Sequence, residues 1–207
     1  MASTVGGPGD VREAFAAVRR ADFLPPAERR FADQDRALPI GWDQTNSQPT
    51  TVAEMLALLD VHRGHRVLDV GSGSGWSTAL LGHLVGRTGQ VHGVELVPEL
   101  AAIGRDNVGG YAMPWVQIHQ AEVDILGLPG AAPFDRILVS AGAESLPDAL
   151  VDQLAPDGVL VVPVGGRMLR VTRTAERVLV ERSGHYSFVP LIEPARQPHS
   201  PRTGPAS

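Results

Sequence analysis

The spacing of apolar and polar positions divides this chain into a short helical front and a longer strand–helix series. In VREAFAAVRR (11–20), Val11, Phe15 and Val18 fall on one helical face, with Asp10 placed to cap the helix. Pro25 and Pro26 end it, because proline cannot continue a helix. A second helix is expected in PTTVAEMLALLD (49–60), where Pro49 suits the first turn and Val52, Met55, Leu56 and Leu59 make the apolar stripe. The intervening stretch FADQDRALPIGWDQTNSQP (31–49) shows neither period and reads as irregular chain. A connection that long in a small domain usually carries function.

From His65 the pattern changes. Strands are expected at 65–70, 90–96, 115–119, 134–141 and 158–165, with helices at 75–86, 98–108 and 146–154 between them. Three more strands, 168–174, 177–183 and 186–192, then follow in a row. Alternating strands and helices imply a parallel sheet with helices on both faces. The fold class is therefore α/β: a doubly wound, mostly parallel sheet with antiparallel strands at its C-terminal edge. One domain is expected over 10–193, with the front helices and loop in 10–60 and the sheet in 61–193. Residues 1–9 (small, with Gly and Pro) and 194–207 (rich in Pro and Ser) are expected to be disordered.

Composition narrows the partners. A net charge of −5 argues against a nucleic-acid backbone, which needs a basic face. No apolar run approaches membrane-spanning length, and MASTVGGPGD lacks the basic and apolar regions of a secretory signal. The absence of cysteine excludes disulfides and thiolate catalysis and fits a cytoplasmic protein. The seven histidines show no metal-ligand spacing, so no metal is expected. A monomer is the expected state.

The chemistry begins at VLDVGSGSG (67–75), a strand that breaks into Gly71, Gly73 and Gly75 and then a helix. Glycines let backbone approach a ligand, and a helix start offers unpaired N–H groups. A dinucleotide loop would read G-x-G-x-x-G, but Trp76 occupies the place of its last glycine. The spacing looks like that of S-adenosylmethionine-dependent methyltransferases. Glu95 ends the next strand, 20 residues after Gly75, where an acid can bind both hydroxyls of a ribose or simply face solvent. Asp69, inside the apolar strand, needs partners: the loop N–H groups, a cofactor amino group, or both. Glu122 and Asp124 follow the third strand, at the edge where such folds bind ligands. A carboxylate there can sit near an adenine or be a solvated loop acid.

Taken together, these blocks resemble the protein-L-isoaspartate (D-aspartate) O-methyltransferase family from about Asp22 to Leu191. ALPIGWDQTNSQP is similar to the family loop ending Gln-Thr-Ile-Ser-x-Pro; VLDVGSGSGWSTALL with GQVHGVEL, then FDRILVSAGAESLPDALVDQLAPDGVLVVPVG, and finally FVPL (188–191) follow in the family's order. The resemblance implies a cofactor, S-adenosylmethionine, and an acceptor, the α-carboxylate of L-isoaspartyl residues in damaged proteins or peptides. It implies that the hydroxyls of Thr45 and Ser47 hold that carboxylate; on local sequence alone they read as turn residues near a helix start. The expected cofactor set is Asp69, Gly71, Ser72, Gly73, Gly75, Glu95, Leu96 and Glu122. The chain departs from the family pattern at Asn46 (usually Ile), Thr50, Ala121-Glu122-Val123 and the run from Ser140. Trp42 can line a peptide groove or cover the core, and cover is the expectation.

Competing readings keep part of this. A carboxyl methyltransferase acting on one pathway peptide or small molecule would share the chemistry. An inactive adenosine-ligand binding module would share only the donor half. A nicotinamide oxidoreductase is disfavoured by Trp76.

Overall fold

The structure is a computed structural model that describes residues 9–192. In chain order its elements are α1 (Gly9–Ala17), β1 (Leu38–Gly41), β2 (Gln44–Asn46), α2 (Pro49–Leu59), β3 (Arg66–Val70), α3 (Trp76–Val85), β4 (Gln90–Glu95), α4 (Pro98–Gly109), β5 (Val116–Gln120), β6 (Phe134–Val139), α5 (Asp148–Val151), β7 (Leu154–Val164), β8 (Arg167–Arg173) and β9 (Val178–Ser183). Short 3-10 turns lie at Arg20–Phe23, Arg29–Phe31 and Pro129–Ala131.

The central sheet has the order β5-β4-β3-β6-β7-β8-β9. Strands β5, β4, β3, β6 and β7 run parallel, while β8 and β9 close the edge antiparallel. The chain steps outward from β3 to β5, then returns to β6 on the other side of β3. Ligands of open α/β sheets bind where the strand order reverses in this way, here beyond Val70 and Val139. Alternation along β3 explains the layering. Val67 joins the core beneath α1, α2, α3 and α4, whereas Leu68 and Val70 join the core beneath α5.

Several expectations change. α1 starts at Gly9, so Asp10 lies within the first turn instead of capping it, and the helix stops at Ala17 in place of Arg20. Residues 31–49 are irregular only in part: β1 and β2 form a hairpin with Leu38 opposite Asn46 and Pro39 opposite Thr45. The helix expected over 146–154 shrinks to α5, because β7 begins at Leu154 to pair with Phe134. Gln153 at that junction is buried and bonded to Leu126, Leu128 and Ala149, which fixes the turn. Residues 186–192 form no strand but a strap. Leu191 N–H donates to Gly142 O and Gly142 N–H to Val189 O, at 2.8 Å each, and Pro190 has no N–H to extend a ladder. The disorder expected for 1–9 and 194–207 lies outside the described residues, apart from Gly9.

α3 packs closely on β5 at Gly82. A Cβ there would stand 2.4 Å from Val116 Cγ2, and the Gly82 carbonyl accepts from Trp115 Nε1 at 2.9 Å. Gly82→Ala should therefore destabilise by about 1–3 kcal/mol through overpacking, even though alanine is the better helix former by about 1 kcal/mol. Urea unfolding midpoints check this, and a stabilised variant would contradict the packing.

Candidate active site

The glycine turn is built by backbone demand. Gly71, Gly73 and Gly75 have φ of +77°, +53° and +95°, a region that L side chains rarely enter. The amides of Gly71 and Ser72 donate to the Val94 carbonyl at 2.9 and 3.1 Å. That of Gly73 donates to Glu95 Oε2 at 2.8 Å, and Val97 N–H donates to Glu95 Oε1 at 2.9 Å. Glu95 is thus fixed by one backbone bond on each oxygen. Each oxygen keeps a lone pair for a further donor. α4 secures the turn from behind: Asn107 Nδ2 donates to Ser74 O at 2.9 Å, and a Cβ on Gly75 would come within 3.1 Å of both Gly104 O and Ile118 Cδ1.

Asp69 does not take the loop N–H groups expected as its partners. It is fully buried, and its Oδ2 accepts from Ser77 Oγ and Thr78 Oγ1 at 2.7 Å each. The loop N–H groups go to Val94 and Glu95 instead, and Asp69 does not line the cavity. Burial pushes its carboxyl up to about 6, against the two hydroxyls that favour the anion.

A cleft of about 1190 Å³, counted to its open mouth, lies over this turn. Gly71, Ser72, Gly73, Glu95, Leu96 and Glu122 line it from the sheet side; Thr45 and Ser47 line it from the hairpin side. The two sets expected from the sequence therefore meet in one space, without Asp69 and with Gly75 beneath the wall. Val189 to Ile192 of the strap line the same cleft. Neither the Thr45 nor the Ser47 hydroxyl is hydrogen-bonded within the described residues. Ser72 Oγ and Ser74 Oγ are buried and also lack a partner.

The hairpin side depends on a residue that sequence reasoning missed. Arg20 is only 7% exposed, and its guanidinium donates to six oxygens. They are the carbonyls of Ala32, Gln34, Arg36, Asn46 and Ser47 and the Asn46 Oδ1, at 2.7–3.2 Å. Burial lowers its pKa to about 10, so it stays charged at neutral pH. It also lies over the Trp76 ring, 5.3 Å from the centroid. Asp35 provides a second tie, accepting from Thr50 N–H at 2.9 Å, Thr50 Oγ1 at 2.8 Å and Gln48 Nε2 at 3.0 Å. Those three bonds hold the Asp35 carboxyl below its ordinary pKa. Asn46 and Thr50 are thereby explained as internal partners. The signal for Arg20 was Asn46 itself, since a polar residue in an apolar place needs a buried donor. Trp42, expected to cover the core, is 47% exposed at the hairpin tip.

Comparison with known proteins fits this geometry. The model of the protein-L-isoaspartate(D-aspartate) O-methyltransferase (PCMT) family matches residues 5–196. The chain belongs to this family. It is 44% identical over 187 residues to the protein-L-isoaspartate O-methyltransferase of Aeropyrum pernix, covering 88% of this chain and 72% of that one. To that of Anaeromyxobacter dehalogenans it is 48% identical over 188 residues, covering 87% and 88%. Among solved structures it is similar, with a TM-score of 0.77 and 25% identity, to a Plasmodium falciparum protein described as a family member in complex with S-adenosyl-L-homocysteine. That match covers 88% of this chain and 89% of the other.

Two substitutions test the site's supports. Arg20→Lys keeps the charge but loses the planar fork, and should cost about 2 kcal/mol or more in urea unfolding. A stability equal to that of the parent would contradict the anchoring role. Asp69 keeps its proton to about pH 6, whereas its ordinary value is 3.8. Native Asp69 therefore binds more protons than the unfolded chain in that window, and its contribution to stability is lost as pH rises through it. Asp69→Asn removes this titration, so its stability relative to the parent should rise from about pH 4 to about pH 6 and level off above. A difference flat across that range in pH-dependent urea unfolding would contradict the buried ionisation.

Proposed function

We infer that the chain transfers a methyl group from S-adenosylmethionine to the α-carboxylate of L-isoaspartyl residues in damaged proteins or peptides, the first step of their repair. The observation that carries this reading is that the two free hydroxyls of Thr45 and Ser47 share one cleft with the glycine turn and Glu95. The residues fit the cofactor. The glycine turn leaves room for close approach, the fixed Glu95 carboxylate can accept from a ribose, and Ser72 and Ser74 present buried hydroxyls without partners. Leu96 and Glu122 complete the wall proposed for the adenosine. When bound, S-adenosylmethionine supplies an electrophilic methyl on a positively charged sulfur.

The protein's own task is placement. An acceptor carboxylate is already ionised at neutral pH, so no general base is required. Thr45 and Ser47 donate to one carboxylate oxygen and leave the other to be aligned with the methyl carbon. Neutral hydroxyls orient the anion without removing its charge as an ion pair would. The carboxylate oxygen so aligned would gain the methyl as its carbon–sulfur bond breaks, with the bonding pair kept by the departing neutral thioether. On the ester product, the neighbouring backbone nitrogen then closes a succinimide and expels methanol, without help from the protein. Hydrolysis of that ring returns part of the chain to normal aspartate.

Asn46 and Thr50 bear on the pathway-specific alternative. Both have internal partners in Arg20 and Asp35, which gives these departures a structural reason. A cytoplasmic location and no nucleic-acid partner accompany the proposal, supported by the absence of cysteine and the net charge of −5; a monomer is the state proposed with them. No described helix is long and apolar enough to cross a membrane.

The deciding experiment is transfer of labelled methyl to isoaspartyl peptides of unrelated sequence and to their aspartyl twins. Methylation should follow the isoaspartyl linkage in every sequence, and activity on one peptide regardless of linkage would overturn the repair reading. Ser47→Ala should lower turnover roughly ten- to hundredfold while S-adenosylhomocysteine affinity stays unchanged. Lost cofactor affinity with normal turnover at saturation would contradict the role given to Ser47.

A further inference from the structure

The tip of the β1–β2 hairpin breaks the local rules of its own turn. Gly41, Trp42 and Asp43 have φ of +92°, +51° and +55°, so two non-glycine residues in succession sit in left-handed backbone. Asn-Gly is the ordinary choice for such a two-residue turn, and tryptophan is a costly one. No polar or ring contact among the described residues compensates. The Trp42 indole makes no hydrogen bond or ring contact among the described residues, and the side chain is 47% exposed. The other two tryptophans are held: Trp76 is buried beside Arg20, and Trp115 donates to Gly82 O. Strain without internal benefit, at a position beside a site, points to a role outside the fold.

The position says which role. Trp42 is two residues from Gln44 and three from Thr45, both on the cleft wall, and Ile40 on its other side lines the cleft too. A chain whose isoaspartyl carboxylate reaches Thr45 and Ser47 must pass its neighbouring residues over this rim. An exposed indole there offers a flat apolar face with few rotamers to lose on contact. The adjacent exposed Asp43 disfavours acidic neighbours.

We propose that Trp42 is a specificity-determining residue that packs on an apolar or aromatic side chain flanking the isoaspartyl residue of the acceptor. This rests on reading the cleft as an isoaspartyl site. Asparagine tolerates left-handed backbone, so Trp42→Asn removes the indole without adding strain, and its unfolding midpoint should not fall. Two isoaspartyl peptides of equal length and charge serve as probes, one flanked by leucine and phenylalanine, the other by serine. The parent should prefer the apolar peptide roughly tenfold in kcat/KM, mainly through KM. Trp42→Asn should bring the two peptides nearly level, with kcat and S-adenosylhomocysteine affinity unchanged.

A preference that survives in Trp42→Asn, or an equal loss on both peptides, overturns the proposal. So does a change of oligomeric state in the variant with the peptide ratio unchanged, which would assign the indole to a second copy. If the parent methylates neither peptide, the methyl-acceptor reading fails instead. Trp42 fluorescence, taken as parent minus Trp42→Asn, then decides the contact alone: a shift on adding the apolar peptide supports it, and no shift overturns it.

Discussion

The buried guanidinium of Arg20 is the constraint on which the acceptor side of this protein depends. A cation removed from water must have its donors satisfied, and here every partner is an oxygen of the segments 32–36 and 46–47. The demand works in both directions. Apart from that of Asn46 in the short strand β2, the carbonyls that satisfy Arg20 belong to turns and connecting chain, so the guanidinium does for this region what strand pairing does for the sheet. Its face rests on Trp76, the first residue of α3, where the glycine turn becomes helix. One side chain therefore registers the hairpin that carries Thr45 and Ser47 against the element that carries the donor site.

The donor side is held differently. Glu95 accepts from the amides of Gly73 and Val97, which locks the strand end to the turn, and Asn107 ties α4 to Ser74. Asp69, the acid nearest the turn in sequence, is not part of this arrangement. It lies on the face of β3 that packs under α3, bonded to Ser77 and Thr78, and so positions the helix start from below. Two acids that look equivalent in a motif thus have separate tasks: Glu95 meets the cleft, and Asp69 meets the helix.

How much of this was legible in the sequence follows from the range of each signal. The parallel sheet was readable because β3, β6 and β7 carry apolar runs and helices alternate with the strands, a local pattern. The place of the glycine turn and Glu95 on one cleft wall was readable because a strand that breaks into glycines, with an acid ending the next strand, is a local pattern. That Thr45 and Ser47 face the same cleft was readable only through the family resemblance, since a hydroxyl in a turn is ordinary. The hairpin was not, because Pro39 and Gly41 interrupt the alternation and its strands are four and three residues long. Arg20 was not, because its six partners are 12–27 residues away and five of them are backbone oxygens, which any residue could supply. The strap was misread as a strand because apolar content alone does not reveal that Pro190 lacks the N–H a ladder needs.

These ties also connect the two walls of the cleft. The hairpin wall runs through Ser47 directly into α2 at Pro49, with Asp35 closing the junction. The opposite wall, the strap, is pinned to the same helix where Tyr186 donates to Glu54 at 2.9 Å. Both walls of the acceptor side therefore refer to α2, whose stripe of Val52, Met55, Leu56 and Leu59 is buried in the main core. A cleft that must admit an exposed stretch of another protein cannot close tightly around it, yet transfer of a methyl group requires alignment along one line. Hanging both walls on one buried helix reconciles the two: the mouth stays open while Ser47 and the strap share one reference. The Arg20 charge sits one layer behind, bonded to the Ser47 carbonyl at 3.0 Å and saturated by oxygens.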